Sequence, residues 1–420
     1  MQFESFFEAQ SAMLWGAFVI ALLMGAIVNK TNFCTMGAVS DLVNMGDTGR
    51  IRAWLLAAAV ALIGVTLAEY LGMVDLGSTF PPYRGSNLVL AENIIGGLMF
   101  GIGMTLASGC GNKCLIRIGG GNLKSIFVFA IIGVIAYFMI NPFPGSDKTL
   151  FSVLFYDWIR PMSLDLTTAQ DIGAIVGGEE PGMARLVAGL LVGLLVLWFV
   201  FKSADFRGSF DNILGGLAVG VAVLAAWYLT ANVIVDADGE MLGLGGYYEQ
   251  WDMLADSDEG KPAAGAPLAT QSYTFINPMG QTLDYLASGL QGSLLTFGVV
   301  AVFGVVLGSL LWSLLSRSFR IEWFNSFSDV VNHVIGAILM GFGGTLAMGC
   351  TIGQAVTGVS TLAVGSIVTF AAIFLGSALT MKVQYYKMVY EDEATVAKAL
   401  ITGLVDLKLL PEKLRKLEAI

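Results

Sequence analysis

The chain predicts an all-α, polytopic integral membrane protein of about nine transmembrane helices, with inverted internal repeats and cysteine-bearing breaks between helices. Three observations carry this. Charged residues make up only 13% of the 420 and hydrophobic ones 56%, whereas a soluble domain carries about 25% charge. No Asp, Glu, Lys or Arg occurs in the 52 residues between Asp329 and Lys382, and Leu286–Ser316 is a second charge-free run of 31. A run of roughly 18 is long enough to cross the hydrocarbon core as a helix. Glycine, at 52 residues, suits close helix approach in lipid. The runs lack the alternation of a barrel, so helices must satisfy the backbone within the bilayer. The same composition excludes a nucleic-acid partner.

The elements follow in order. Met1–Gln10 contains Glu4 and Glu8 and no basic residue, which argues against a cleaved signal peptide and leaves Ser11–Asn29 as the first span. Further apolar runs place spans at Ala53–Val74, Asn93–Gly109, Ser125–Ile140, Leu186–Phe201, Asn212–Val235, Thr296–Ser316, Val330–Met348 and Thr361–Thr380. Residues 1–381 are thus expected to form one membrane domain. Within it, 236–284 holds nine acidic residues and is expected as an exterior loop with a solvated, charged face. Residues 382–420 are expected as a charged, partly helical cytoplasmic tail.

Orientation follows from the basic residues of the loops. With the N-terminus outside, seventeen of the 22 Lys and Arg fall inside, seven of them after Met381. Only Arg84, Lys148, Arg160 and Lys261 fall outside, and Arg185 sits at a boundary. The C-terminus is therefore expected in the cytoplasm.

The chain contains an internal repeat. Gly96–Cys110 (GGLMFGIGMTLASGC) aligns without gaps on Gly336–Cys350 (GAILMGFGGTLAMGC), identical at eight of fifteen positions. A weaker copy without cysteine starts at Asn212. Nine spans run the two strong copies in opposite directions, an arrangement that builds transporters with a site between the halves.

Four cysteines are present. Cys34 follows the first span, Cys110 and Cys350 each follow glycine at the end of a repeated helix, and Cys114 has no counterpart in the repeat. A buried cysteine is ordinarily a small hydrophobe without a task; that reading suits Cys114 but does not explain the paired Gly-Cys ends. Two helices use up most of the charge-free gap, which leaves the uncharged turn Gly349-Cys-Thr-Ile-Gly-Gln354 at membrane depth, against protein or a wet cavity. Thr351 and Gln354 offer neutral donors there. Amide groups freed at a helix start favour an anion. Lys113 and Arg117 read equally as anion attractors and as topology markers. Glu69 near a span end and His333, the single histidine, are further polar groups of the membrane region, Glu69 free to snorkel and His333 more simply a hydrogen-bonded structural residue. One histidine and no CxxC make a poor zinc set, with a soft-metal thiolate site a weak alternative, so no metal or cofactor is expected.

KTNFCTMGA around Cys34, GGLMFGIGMTLASGC ending at Cys110 and GFGGTLAMGCTIG around Cys350 together resemble the YeeE/YedE sulfur-transport family over roughly Ala17–Met381. The resemblance implies an hourglass-shaped inner-membrane protein whose centre is lined by Cys34, Cys110 and Cys350. Along it a small sulfur anion, thiosulfate above all, would pass by weak S–H contacts, with Lys113 and Thr351 beside the path. Cys114, the long 236–284 loop and the tail depart from the pattern. Uptake of another sulfur or selenium species, a membrane thiol enzyme handling persulfide, and a scaffold for a soluble cytoplasmic sulfur-carrier protein docked on the basic tail remain open as alternatives.

Overall fold

The computed structural model describes residues 1–178, 180–237, 239–254 and 261–418, and of Asp392 only the backbone. Six residues of the acidic loop, 255–260, thus lie outside the described residues. Among the described residues nine helices are long and apolar enough to span a membrane, and each expected span is matched by one of them. The all-α expectation holds, with only short strands added. Gln2–Phe3 pairs in parallel with Ile234–Val235, and Ile234–Ala237 forms a hairpin with Glu240–Gly243.

The helices group into four units, each of long helix, break, short segment and long helix. The first is α1 (Phe6–Thr31), α2 (Thr35–Ser40, continued as a π turn to Met45) and α3 (Gly49–Tyr70). The second is α4 (Leu90–Leu106), α5 (Gly111–Gly119) and α6 (Leu123–Ile140). A separate helix, α7 (Pro181–Phe201), packs on α3 with most of its apolar surface turned outward. The third unit is α8 (Phe210–Ala231), α9 (Ile276–Ala287) and α10 (Phe297–Leu315). The fourth is α11 (Phe327–Leu346), a π and 3-10 segment over Gly353–Gly358 and Val359–Thr361, and α12 (Val364–Tyr390).

Packing shows how the units pair. In the second and fourth, α4 lies against both α11 and α12, and α11 lies against α6; in the first and third, α1 lies against both α8 and α10, and α8 lies against α3. The two pairs share one packing scheme, and the second and fourth units carry the sequence repeat. The repeated glycines make the α4–α11 crossing reciprocal. A Cβ on Gly103 would stand 2.5 Å from the Gly336 carbonyl oxygen, and one on Gly336 2.6 Å from that of Gly103. Gly96 and Gly343 meet in the same way, at 2.8 and 2.6 Å. Packing this close is available only to residues without a side chain.

The contacts also define two faces. On one, Lys30 pairs with Asp211 and Lys124 with Asp329; with Arg50, Lys202 and Arg320 this is the basic face. On the other, the N-terminal amine donates to the Asn232 carbonyl and Asn232 Nδ2 to that of Met73.

Two segments differ from expectation. The second half of the 236–284 stretch is not a solvated loop: Gln271–Ile276 and Pro278–Gly280 are buried, and α9 packs on α6 and α10. It is the broken-helix element of the third unit. The last span continues ten residues past Thr380 to Tyr390, and α13 (Val396–Asp406) folds back along it. Asp406 fixes this fold-back, accepting from Tyr386 Oη at 2.8 Å and pairing with Arg415 at 2.8 Å.

Candidate translocation site

Three of the four units break by one backbone device. The residue two places before each cysteine adopts a left-handed conformation, Asn32 at φ 49°, Ser108 at 59° and Met348 at 54°. The next amide then reaches back to close the helix: Phe33 to the Val28 carbonyl at 3.2 Å, Gly109 to Met104 at 2.9 Å and Gly349 to Gly344 at 2.8 Å. This is the Schellman closure, ordinarily given to glycine. A side chain held there costs about 1 kcal/mol or more, so the surrounding packing enforces the break.

The cysteine follows as the first residue of the new segment. Cys34 and Cys110 are extended, at φ −153° and −76°. Cys34 Sγ accepts the Gly37 amide at 3.5 Å, and Cys350 Sγ accepts that of Gly353 at 3.5 Å. Serine, threonine or asparagine oxygens are the usual caps, and sulfur is a weak acceptor. Capping alone therefore does not account for cysteine at these positions.

All three are free thiols, exposed by 6%, 2% and 0% for Cys34, Cys110 and Cys350. The fold brings their breaks together. Thr35 Oγ1 stands 4.0 Å from Cys110 Sγ. A Cβ on Gly111 would lie 3.9 Å from the Cys350 Cβ and 3.0 Å from Ile276 Cδ1. The starts of α5 and α9 therefore lie among the thiols, and helix starts carry partial positive charge.

Neutral polar groups surround this point. Among the described residues Thr274 Oγ1, Thr351 Oγ1, Gln354 Oε1, Asn112 Oδ1 and the Tyr83 hydroxyl are buried without a protein hydrogen-bond partner. Such groups are costly to bury unpaired, and Asn112, Thr351 and Gln354 lie within four residues after Cys110 or Cys350. A cavity of about 260 Å³, lined by Phe80, Thr274, Asn277, Thr345 and Gly349 among others, approaches Cys350 from the face opposite the basic one. A second, of about 300 Å³, opens on the basic face beside Met36 and Ser108, two residues from Cys34 and Cys110 respectively. The thiols lie between the two. A larger recess of about 460 Å³ between α1 and α10 is apolar, lies on the lipid-facing side and touches none of the thiols.

The remaining candidates separate by their partners. Lys113 Nζ donates to Asn32 Oδ1 at 2.6 Å, joining α5 to the Cys34 break. Cys114 donates to the Ser125 carbonyl at 2.9 Å and is tied into the α5–α6 junction. His333 pairs with Asp329 at the start of α11. Glu69 does not snorkel. It pairs with Arg84 and Arg185, and Arg185 pairs in turn with the fully buried Asp171 at 2.8 Å. Arg84 Nε donates to the Thr361 carbonyl at 2.9 Å, so this network pins the far end of the Cys350 segment. Among the described residues no three His, Cys, Asp or Glu side chains gather as a metal set.

Sequence reasoning missed Thr274 and Tyr83. A signal for Thr274 existed, because residues 262–283 form a third run without Asp, Glu, Lys or Arg, masked by the acidic stretch before it. Nothing local marks Tyr83, whose place depends on the tertiary fold.

A family model described as "Sulphur transport" matches residues 30–379, from the end of α1 into α12 and through all three cysteine-bearing breaks. Among curated proteins, the Thiosulfate transporter TsuA of Escherichia coli (strain K12) is 23% identical over 364 residues, covering 82% of this chain and 86% of that protein. The Thiosulfate transporter TsuA of Spirochaeta thermophila (strain ATCC 700085 / DSM 6578 / Z-1203) is 22% identical over 375 residues, covering 87% and 97%. The chain belongs to the Sulphur transport family, and so stands with transporters rather than with thiol enzymes.

Proposed function

We propose that this member of the sulfur-transport family carries thiosulfate across the inner membrane, with Cys34, Cys110 and Cys350 as successive stations. The observation that supports this most is the position of three buried free thiols, on identically built breaks, between cavities on opposite faces.

The physical argument turns on binding that is adequate and no more. Thiosulfate carries its charge on three oxygens and one soft terminal sulfur. Contacts of the S–H kind are each worth about 1 kcal/mol or less, so no station traps the ion, and conduction requires release as much as capture. Helix starts and neutral donors such as Thr351 replace part of the lost hydration without fixing a counter-charge. Lys113, held at the Cys34 break, supplies a cation beside the path. The basic bias of one face supports a cytoplasmic location for that face and the C-terminus, where a soluble sulfur carrier would receive the ion.

Vesicle uptake of labelled thiosulfate tests the reading. Uptake should exceed that of sulfate and selenite, and Cys110→Ser and Cys350→Ser should each reduce it at least ten-fold. Normal uptake by both variants contradicts the relay.

A further inference from the structure

The recess on the basic face has an unusual composition. Thioethers of Met36, Met381 and Met388 share its wall with Ser108, Gln384 and Tyr385, and no charged side chain lines it. Ser108, Gln384 and Tyr385 each bring a donor-bearing side chain to this space. They are donors over polarizable sulfur, which suits a soft anion better than a hard one. One wall belongs to the Cys34 and Cys110 breaks, at Met36 and Ser108; the other is the cytoplasm-ward end of α12, beyond the expected membrane span.

The C-terminal segment keeps that second wall in place. Tyr386 and Lys382, on the same stretch of α12, are held by Asp406 of α13, and Arg415 closes on the same carboxylate. Leu407 packs with Val39, Val43, Met36 and Met381. The segment after Met381 thus ties α12 to α2, which follows directly on Cys34.

We propose that this recess is the release site, where a thiosulfate-class anion leaving Cys34 and Cys110 is held by Ser108, Gln384 and Tyr385 before it departs. The proposal rests on the transport reading above. A release site has a directional signature. Its donors set the half-saturating concentration measured from the basic face and leave that measured from the other face nearly untouched.

The test uses full-length protein in vesicles of both orientations, with labelled thiosulfate. Gln384→Leu with Tyr385→Phe removes two donors at little change of shape. Losing one hydrogen bond to a charged ligand is worth about ten-fold, so with both donors gone half-saturation from the basic face should rise at least about ten-fold and that from the opposite face stay within about two-fold. Tyr385→Phe alone, the milder change, should give a smaller rise in the same direction, and it carries the test if the double variant fails to fold. An unchanged value at the basic face, or an equal change at both, overturns the release site. Absence of thiosulfate flux in the wild-type protein, above that of protein-free vesicles, would instead overturn the transport reading, so the two failures are distinguishable.

Discussion

Replacing Gly103 with alanine asks how closely the repeat must pack for the thiols to work. The new methyl would stand 2.5 Å from the Gly336 carbonyl oxygen, 2.9 Å from Leu339 Cβ and 2.9 Å from the Met340 amide. Ordinary contact begins near 3.4 Å, so α4 and α11 must part by about 0.9 Å. Two of the three neighbours are backbone and cannot rotate away. Overpacking of this kind costs about 1–3 kcal/mol. The displacement also reaches the site, because α4 ends three residues later and Cys110 follows it. A gap of 0.5–1 Å forfeits about a quarter to a half of a contact's attraction, and weak thiol contacts lose their alignment with it. Uptake of labelled thiosulfate should fall at least ten-fold, and thermal unfolding in detergent should come earlier. Gly182→Ala, on α7 with no atom within 4 Å of the added methyl, should change neither. Wild-type uptake and stability for Gly103→Ala would refute the close-packed repeat as the scaffold of the site.

Three further outcomes follow from named contacts. Asp171→Asn leaves Arg84 and Arg185 without their buried carboxylate; breaking such a network costs about 3 kcal/mol, to be read as a lowered unfolding temperature together with reduced uptake. Cys114→Ser keeps a donor for the Ser125 carbonyl in the same buried contact, and uptake should stay within about two-fold of wild type. Met348→Val places a β-branched residue at φ 54° and should destabilise by about 1–2 kcal/mol, whereas Met348→Gly should be neutral or stabilising, both read by thermal unfolding.

The nine spans were legible because hydrocarbon demands a length and an absence of charge that any reader of the sequence can count. The pairing of Cys110 with Cys350 was legible for a different reason, since the glycines that let α4 and α11 touch are the same ones that reveal the repeat. Cys34 came from family resemblance alone, as its break shares the left-handed closure but not the glycine pattern. Thr274 was hidden by its neighbours. Acidic residues up to Glu259 colour the whole stretch as loop, although Gln271–Ile276 is buried beside Cys350. Glu69 could not be placed because its partners Arg84 and Arg185 come from separate elements. The length of the final helix was misjudged at Lys382, where charge signals the end of lipid and not the end of the helix.

The central claim is that thiosulfate passes the thiols intact, and separate labels on its inner and outer sulfur test it most directly. In vesicles without soluble enzymes, the account predicts that both labels arrive together at equal rates and that no persulfide forms on Cys34, Cys110 or Cys350. Entry of the outer label alone, with sulfite left behind and a persulfide on Cys34 or Cys110, would contradict it.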